Sequence, residues 1–202
     1  MSWRIFAILA FVFLAVQEGL APALSISGTE LGDIRPQFIL LLAVMVGLGA
    51  AGQQNLTAWA VLGLIMDLAT VRPMTDGTGL TFIGPYTFGF MAGAIVAQQL
   101  RGVVHRRHPL SVAFMVLVCG LAVHLVVVCI LGLRNWLAIS TSLYAPPMQG
   151  WTSGWPATRE LGRGLIEVAY TAVFGFLLAA PLFRLHVLLG FSAGRSRRLR
   201  VA

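Results

Sequence analysis

Residues 36 to 52 read PQFILLLAVMVGLGAAG, without a single charged side chain. Apolar stretches of roughly 17 to 25 residues recur along the whole chain, each long enough as a helix to cross a hydrocarbon core about 30 Å thick. That recurrence constrains the fold more than any motif does. A chain of 202 residues that is 58% hydrophobic and 10% charged, with mean hydropathy +0.86, has too few polar groups to coat a soluble fold. The sequence therefore predicts an all-α integral membrane protein: one polytopic domain over residues 1–202, with no soluble domain.

Six transmembrane helices are predicted, at about residues 3–24, 36–52, 56–71, 80–100, 109–133 and 161–191. They are joined by SISGTELGDIR, a tight QQN, RPMTDGTG, the basic RGVVHRRH, and a longer Pro, Gly and Trp-rich segment from Asn135 to Glu160. Pro85 and Pro181 fall inside spans and predict kinks there, because each removes a backbone hydrogen bond. No internal repeat, heptad or low-complexity tract interrupts the pattern.

The 14 positive charges are all arginine. With both termini in the cytoplasm, the inner side holds nine of them, including Arg4, Arg101, Arg106, Arg107 and the RSRRLR tail. The outer side holds five, Arg35, Arg72, Arg134, Arg159 and Arg163, among Glu30, Asp33, Asp76 and Glu160. Positive charge accumulates on the cytoplasmic side of membrane proteins, so the bias predicts cytoplasmic termini and an even number of spans in a cell inner membrane. The basic loop and tail follow from the same rule, with attraction to the lipid bilayer's anionic headgroups as an ordinary addition. A net charge of +7 suits nucleic acid too, but charges this close to the membrane argue for no nucleic-acid partner.

This topology places the acids of the spans in the outer half of the membrane. Glu18 lies near the outer end of the first span and Asp67 near that of the third, while Glu167 sits about two turns into the sixth. A charge at membrane depth costs on the order of 3 kcal/mol, so such groups face the bundle interior and find partners. Asp67 shares a helix face with Ala60, Gly63 and Thr70, at spacings of three, four and seven, and a small face suits close helix approach. Asp67 then either caps or pairs within the bundle, for example with Arg163 or Arg72, or contacts a partner or ligand, or is exposed near the outer interface. Glu167 faces the same choice; Glu18 is close enough to the interface to be hydrated. His124, nearer the middle of the fifth span, reads as a hydrogen-bonded core residue. Cys119 and Cys129 lie ten apart on one helix, out of disulfide reach.

Patterns that suggest chemistry are weak. GFSAG at Gly190 to Gly194 matches a nucleophile elbow in letters but follows a membrane helix and precedes a basic tail, where the motif needs a strand and a helix. HRRH at His105 to His108 offers two imidazoles with no third ligand nearby. NLT at Asn55 is a formal glycosylation sequon on the predicted inner side. The reading is no enzyme, no metal and no cofactor. Helix-packing signals are clearer: Gly89 and Gly93 form G-x-x-x-G in GFMAG, and Gly47 with Ala51 and Gly175 with Ala179 repeat the spacing.

Three stretches carry a family resemblance: RPQFILLLAVMVGLG from Arg35, AVLGLIMDLATVRPMTDGTGL from Ala60, and YTFGFMAGAIVAQQLR from Tyr86. Together they resemble the rod shape-determining protein MreD family, over roughly residues 35 to 133. That family shows a Pro-led Leu-rich helix, a helix ending in a Gly-Leu-x-x-Asp type pattern, a short outer loop rich in Gly and Pro, and a Gly-rich helix leading to a basic loop. This chain departs from the pattern in its outer loop, lengthened by TDG, and in the Trp-containing segment before its last span.

The resemblance implies a compact six-helix bundle similar to the substrate-binding components of energy-coupling-factor vitamin transporters. It also implies a non-enzymatic scaffold of the wall-elongation machinery, acting beside a bitopic MreC-like protein, MreB filaments and peptidoglycan synthases. Asp67 would then be a buried polar anchor. Gly63, Gly89 and Gly93 would be helix-packing or partner-interface positions. The competing reading is a substrate-binding membrane subunit of such a transporter, or another small permease, with the outer acids and Trp residues forming a ligand pocket. Arg4, the apolar run to Val16 and APA at Ala21 to Ala23 look like a secretory leader; Glu18 and the resemblance favour a retained first helix.

Overall fold

A computed structural model describes residues 2–26, 33–50, 52–73, 79–102, 108–141 and 157–180. Among them are six helices: α1 (Trp3–Gly19), α2 (Phe38–Gly49), α3 (Gly52–Ala69), α4 (Pro85–Leu100), α5 (Pro109–Thr141) and α6 (Ala157–Leu177). A short antiparallel pair of strands, β1 (Val71–Pro73) and β2 (Gly79–Thr81), joins α3 to α4.

The centre of the bundle is α2. A helix apolar on every face has no side to offer water, and each residue from Phe38 to Leu48 is buried. It contacts all five other helices, while α3, α4, α5 and α6 pack in succession around it and α1 lies mainly against α2. Trp59 of α3 and Phe90 of α4, both fully buried, meet at 5.8 Å between ring centroids and fill the space beside it.

The other five helices also carry apolar side chains outward, with polar ones such as Gln53, Gln54, Gln99 and Arg159 exposed near their ends. Large side chains stand exposed on α1 (Phe11, 73%), α3 (Leu68), α4 (Phe88), α5 (Leu125) and α6 (Leu177, 64%). Among the described residues one stretch, Pro109–Arg134 of α5, is long and apolar enough to cross a membrane by itself; α2 is apolar but only 12 residues long, about 18 Å.

Several expected boundaries move. The first helix ends at Gly19, with turns from Leu20 to Leu24 rather than a continuous span. The chain is not purely helical: RPMTDGTG begins and ends in paired strands, with Arg72 opposite Leu80. Pro85 does not kink a helix. Gly84, at φ 130°, turns the backbone, and Pro85 starts α4 where its missing N–H has no partner to lose. The segment after Arg134 is not all loop either. Asn135 to Thr141 extend α5, since NWLAIST contains neither Gly nor Pro to stop it. The expectations for Pro181, Ala51, GFSAG, Arg106, Arg107 and the basic tail lie outside the described residues.

Candidate functional site

The first turn of a helix leaves backbone N–H groups without intrahelical acceptors. In α4 they are taken by a carboxylate from another helix. Asp67 Oδ1 accepts from Tyr86 N–H at 2.9 Å, and Oδ2 accepts from Gly84 N–H and Thr87 N–H, both at 2.9 Å, and from the Thr87 hydroxyl at 2.6 Å. Pro85, between them, has no N–H to satisfy. The negative charge also lies at the positive end of the α4 dipole. Asp67 is 1% exposed, so these four donors replace the water it gave up.

Gly63, one turn earlier on the same face, makes this reach possible. A Cβ there would stand 2.7 Å from Thr87 Cα and 2.8 Å from Tyr86 O. Only a bare backbone lets α3 approach the start of α4 that closely. Of the three uses open to Asp67, the structure places it in the first, as a cap. The suggested partner Arg163 instead bonds Glu167, with its Nε 3.0 Å from Oε1; the Arg72 side chain lies outside the described residues.

A second polar cluster joins α2, α5 and α6. Gln37, just before α2, donates through Nε2 to Glu167 Oε2 and to His124 Nε2, both at 3.0 Å. An amide nitrogen can only donate, so His124 Nε2 accepts and the ring's proton sits on Nδ1. Gln37 N–H donates to Thr171 Oγ1 at 2.9 Å, and the Thr171 hydroxyl donates to Glu167 O at 2.6 Å. The imidazole rests on Gly164, where a Cβ would lie 2.6 Å from Nδ1. His124 is thus a hydrogen-bonded core residue. From α1, Gln17 Oε1 accepts from Phe38 N–H at 2.6 Å and Gln17 Nε2 donates to Pro36 O at 3.3 Å. Leu131, two turns beyond His124 on α5, borders Asp67, so both clusters sit towards one end of the bundle.

The opposite end is tied by Arg101 to Ala50 O, by Gln98 Nε2 to Gly52 O at 2.9 Å, and by Asn55 Nδ2 to Ala94 O at 3.2 Å. Asn55 is fully buried, which leaves no room for a glycan on NLT.

Gly89 and Gly93 lie at contacts inside the chain. A Cβ at Gly89 would meet Val123 O at 2.9 Å, and one at Gly93 would meet Trp59 Cζ3 at 2.6 Å. That face of α4 is occupied by α3 and α5. Glu18 is exposed and joins neither cluster; its neighbour Gln17 turns inward instead. Cys119 is buried and Cys129 exposed, both as free thiols. Sequence reasoning passed over Gln17, Gln37 and Gly164. The two glutamines were findable, as long polar side chains bounding apolar runs, whereas nothing local marks Gly164 as the seat of a ring from α5.

Compared with known proteins, the chain matches no family model, no curated protein and no solved structure.

Proposed function

We propose that this chain is a six-span integral membrane scaffold, resembling MreD, that binds a single-span MreC-like partner in the wall-elongation machinery. The observation that carries the reading is Asp67. It is the chemically distinctive residue of the resembling stretch, and all four of its hydrogen bonds hold the start of α4 against α3. Glu167 is likewise engaged by Gln37 and Arg163. Groups bound this way support an architectural use of the acids rather than a catalytic one.

The arrangement of polarity supports the bilayer as the surrounding medium. Hydrogen-bonded acids, amides and His124 lie inside, and large apolar side chains lie outside on five helices. Soluble monomers rarely expose such continuous apolar surface, whereas lipid accepts it without cost. In this arrangement α2 is too short to span alone, and its neighbours take up the groups at its ends: Thr171 and Gln17 accept from the Gln37 and Phe38 N–H groups, and Arg101 donates to Ala50 O.

The test is depletion of the protein in a rod-shaped host, together with capture of the MreC-like protein on the tagged full chain. Rounded cells and specific co-purification are expected. Normal rods with high-affinity vitamin uptake by vesicles carrying the chain and a coupling module would overturn the scaffold and establish the transporter reading.

A further inference from the structure

The wall of α1 from Trp3 to Leu14 and the facing residues Val61 and Ile65 of α3 enclose an open apolar groove of about 330 Å³. We propose that this groove is a binding site for one anionic phospholipid of the inner leaflet, its acyl chain in the groove and its phosphate on Arg4. The proposal rests on the reading that these helices cross a bilayer.

Length selects the occupant. Trp3 to Leu14 covers about 16 Å of helix, close to half of a hydrocarbon core about 30 Å thick. An acyl chain of one leaflet has that reach, while a partner's transmembrane helix needs nearly twice as much. Beyond Leu14, the last α1 residue lining the groove, Gln17 fastens the helix to the start of α2. Its lining on α1 combines the small Ala7 and Ala10 with the aromatic Trp3, Phe6 and Phe11.

Charge selects the headgroup. Arg4 is exposed, one residue from Trp3, and has no hydrogen bond or ion pair among the described residues. In the topology proposed above, all seven acids of the chain lie in the outer half of the membrane or beyond it, so no carboxylate competes for Arg4 at the inner end. A guanidinium matches phosphate in geometry as well as charge, and an indole at helix entry sits at headgroup depth.

The experiment places a photoreactive phenylalanine at Phe11, in the groove, or at Ile95, exposed on α4 outside it. The full chain is reconstituted in phosphatidylcholine vesicles containing one-tenth phosphatidylglycerol, and the adducts are weighed by mass spectrometry. Phosphatidylglycerol should be enriched about fivefold at Phe11 over its share at Ile95. Arg4→Gln should abolish the enrichment and Arg4→Lys should retain most of it. Capture at the bulk lipid ratio at both positions overturns the site, as does a Phe11 adduct with a second chain or an added partner helix. Release of the chain from the vesicles by alkaline carbonate overturns the membrane reading itself, a result distinguishable from the first.

Discussion

Four donors on one carboxylate make Asp67 the side chain whose loss is easiest to forecast. Its partners carry no countercharge, so removing it strands backbone N–H groups rather than an ion. Each buried unsatisfied donor costs about 1–3 kcal/mol, and a lost cap about 1 kcal/mol. Asp67→Leu should therefore destabilise the detergent-solubilised chain by about 2–4 kcal/mol, below the 3–5 kcal/mol typical of a broken buried charge pair. Asp67→Asn keeps one acceptor oxygen and should fall between Leu and the parent. Thermal unfolding of the three proteins orders them; an unshifted midpoint for Asp67→Leu would sink the capping account. Gly164→Ala drives a methyl to 2.6 Å from His124 Nδ1 and should cost about 1–3 kcal/mol. Most of that cost should vanish in a His124→Ala background, where no ring opposes it. A double-mutant cycle measures this coupling, and simple additivity would count against the contact.

Among the elements, α4 is held closely along its length. Its start is capped by α3, its middle presents Gly89 to the Val123 backbone of α5, and Gly93 admits the edge of Trp59. In the proposed bilayer setting helices gain little from mutual apolarity, so such close approaches would carry the packing. Gly89→Leu and Gly93→Leu should each lower the midpoint of thermal unfolding of the isolated chain, with no partner present. Unchanged unfolding coupled with lost partner capture would move these glycines to an intermolecular interface. By contrast α1 packs chiefly on one neighbour, and its outward residues such as Phe11 stand 73% exposed. Substitution of Ile8 by Leu or Val should leave unfolding unchanged within error, since Ile8 is 63% exposed.

For the whole molecule, the arginine distribution and the alternating helices predict cytoplasmic termini. Reporter fusions after Ala202 and within residues 143–155 should report opposite sides of the membrane, and a shared side would end the proposed six-span arrangement. The positions of the helices were legible because apolar run length is written residue by residue. Their ends were not. Pro85 reads as a kink in a span drawn from Leu80, yet Gly84 and the strand pairing of Leu80 with Arg72 make it a beginning. Asn135 to Thr141 look polar enough for a loop, but a helix already under way needs a breaker to stop it.

The sequence by itself determined an apolar, predominantly helical chain whose run from Pro36 to Gly52 carries no charged side chain, because burial demand follows composition and period. It also located the acids that have to be satisfied and the glycines that allow close contact. Tertiary structure alone decided the partners. Asp67 bonds to residues 17 to 20 positions away, and Gln37 to side chains 87 and 130 positions away. Such pairings depend on which helices become neighbours around α2. That choice is made by the summed fit of many weak contacts, to which no short stretch of sequence contributes enough to be read alone.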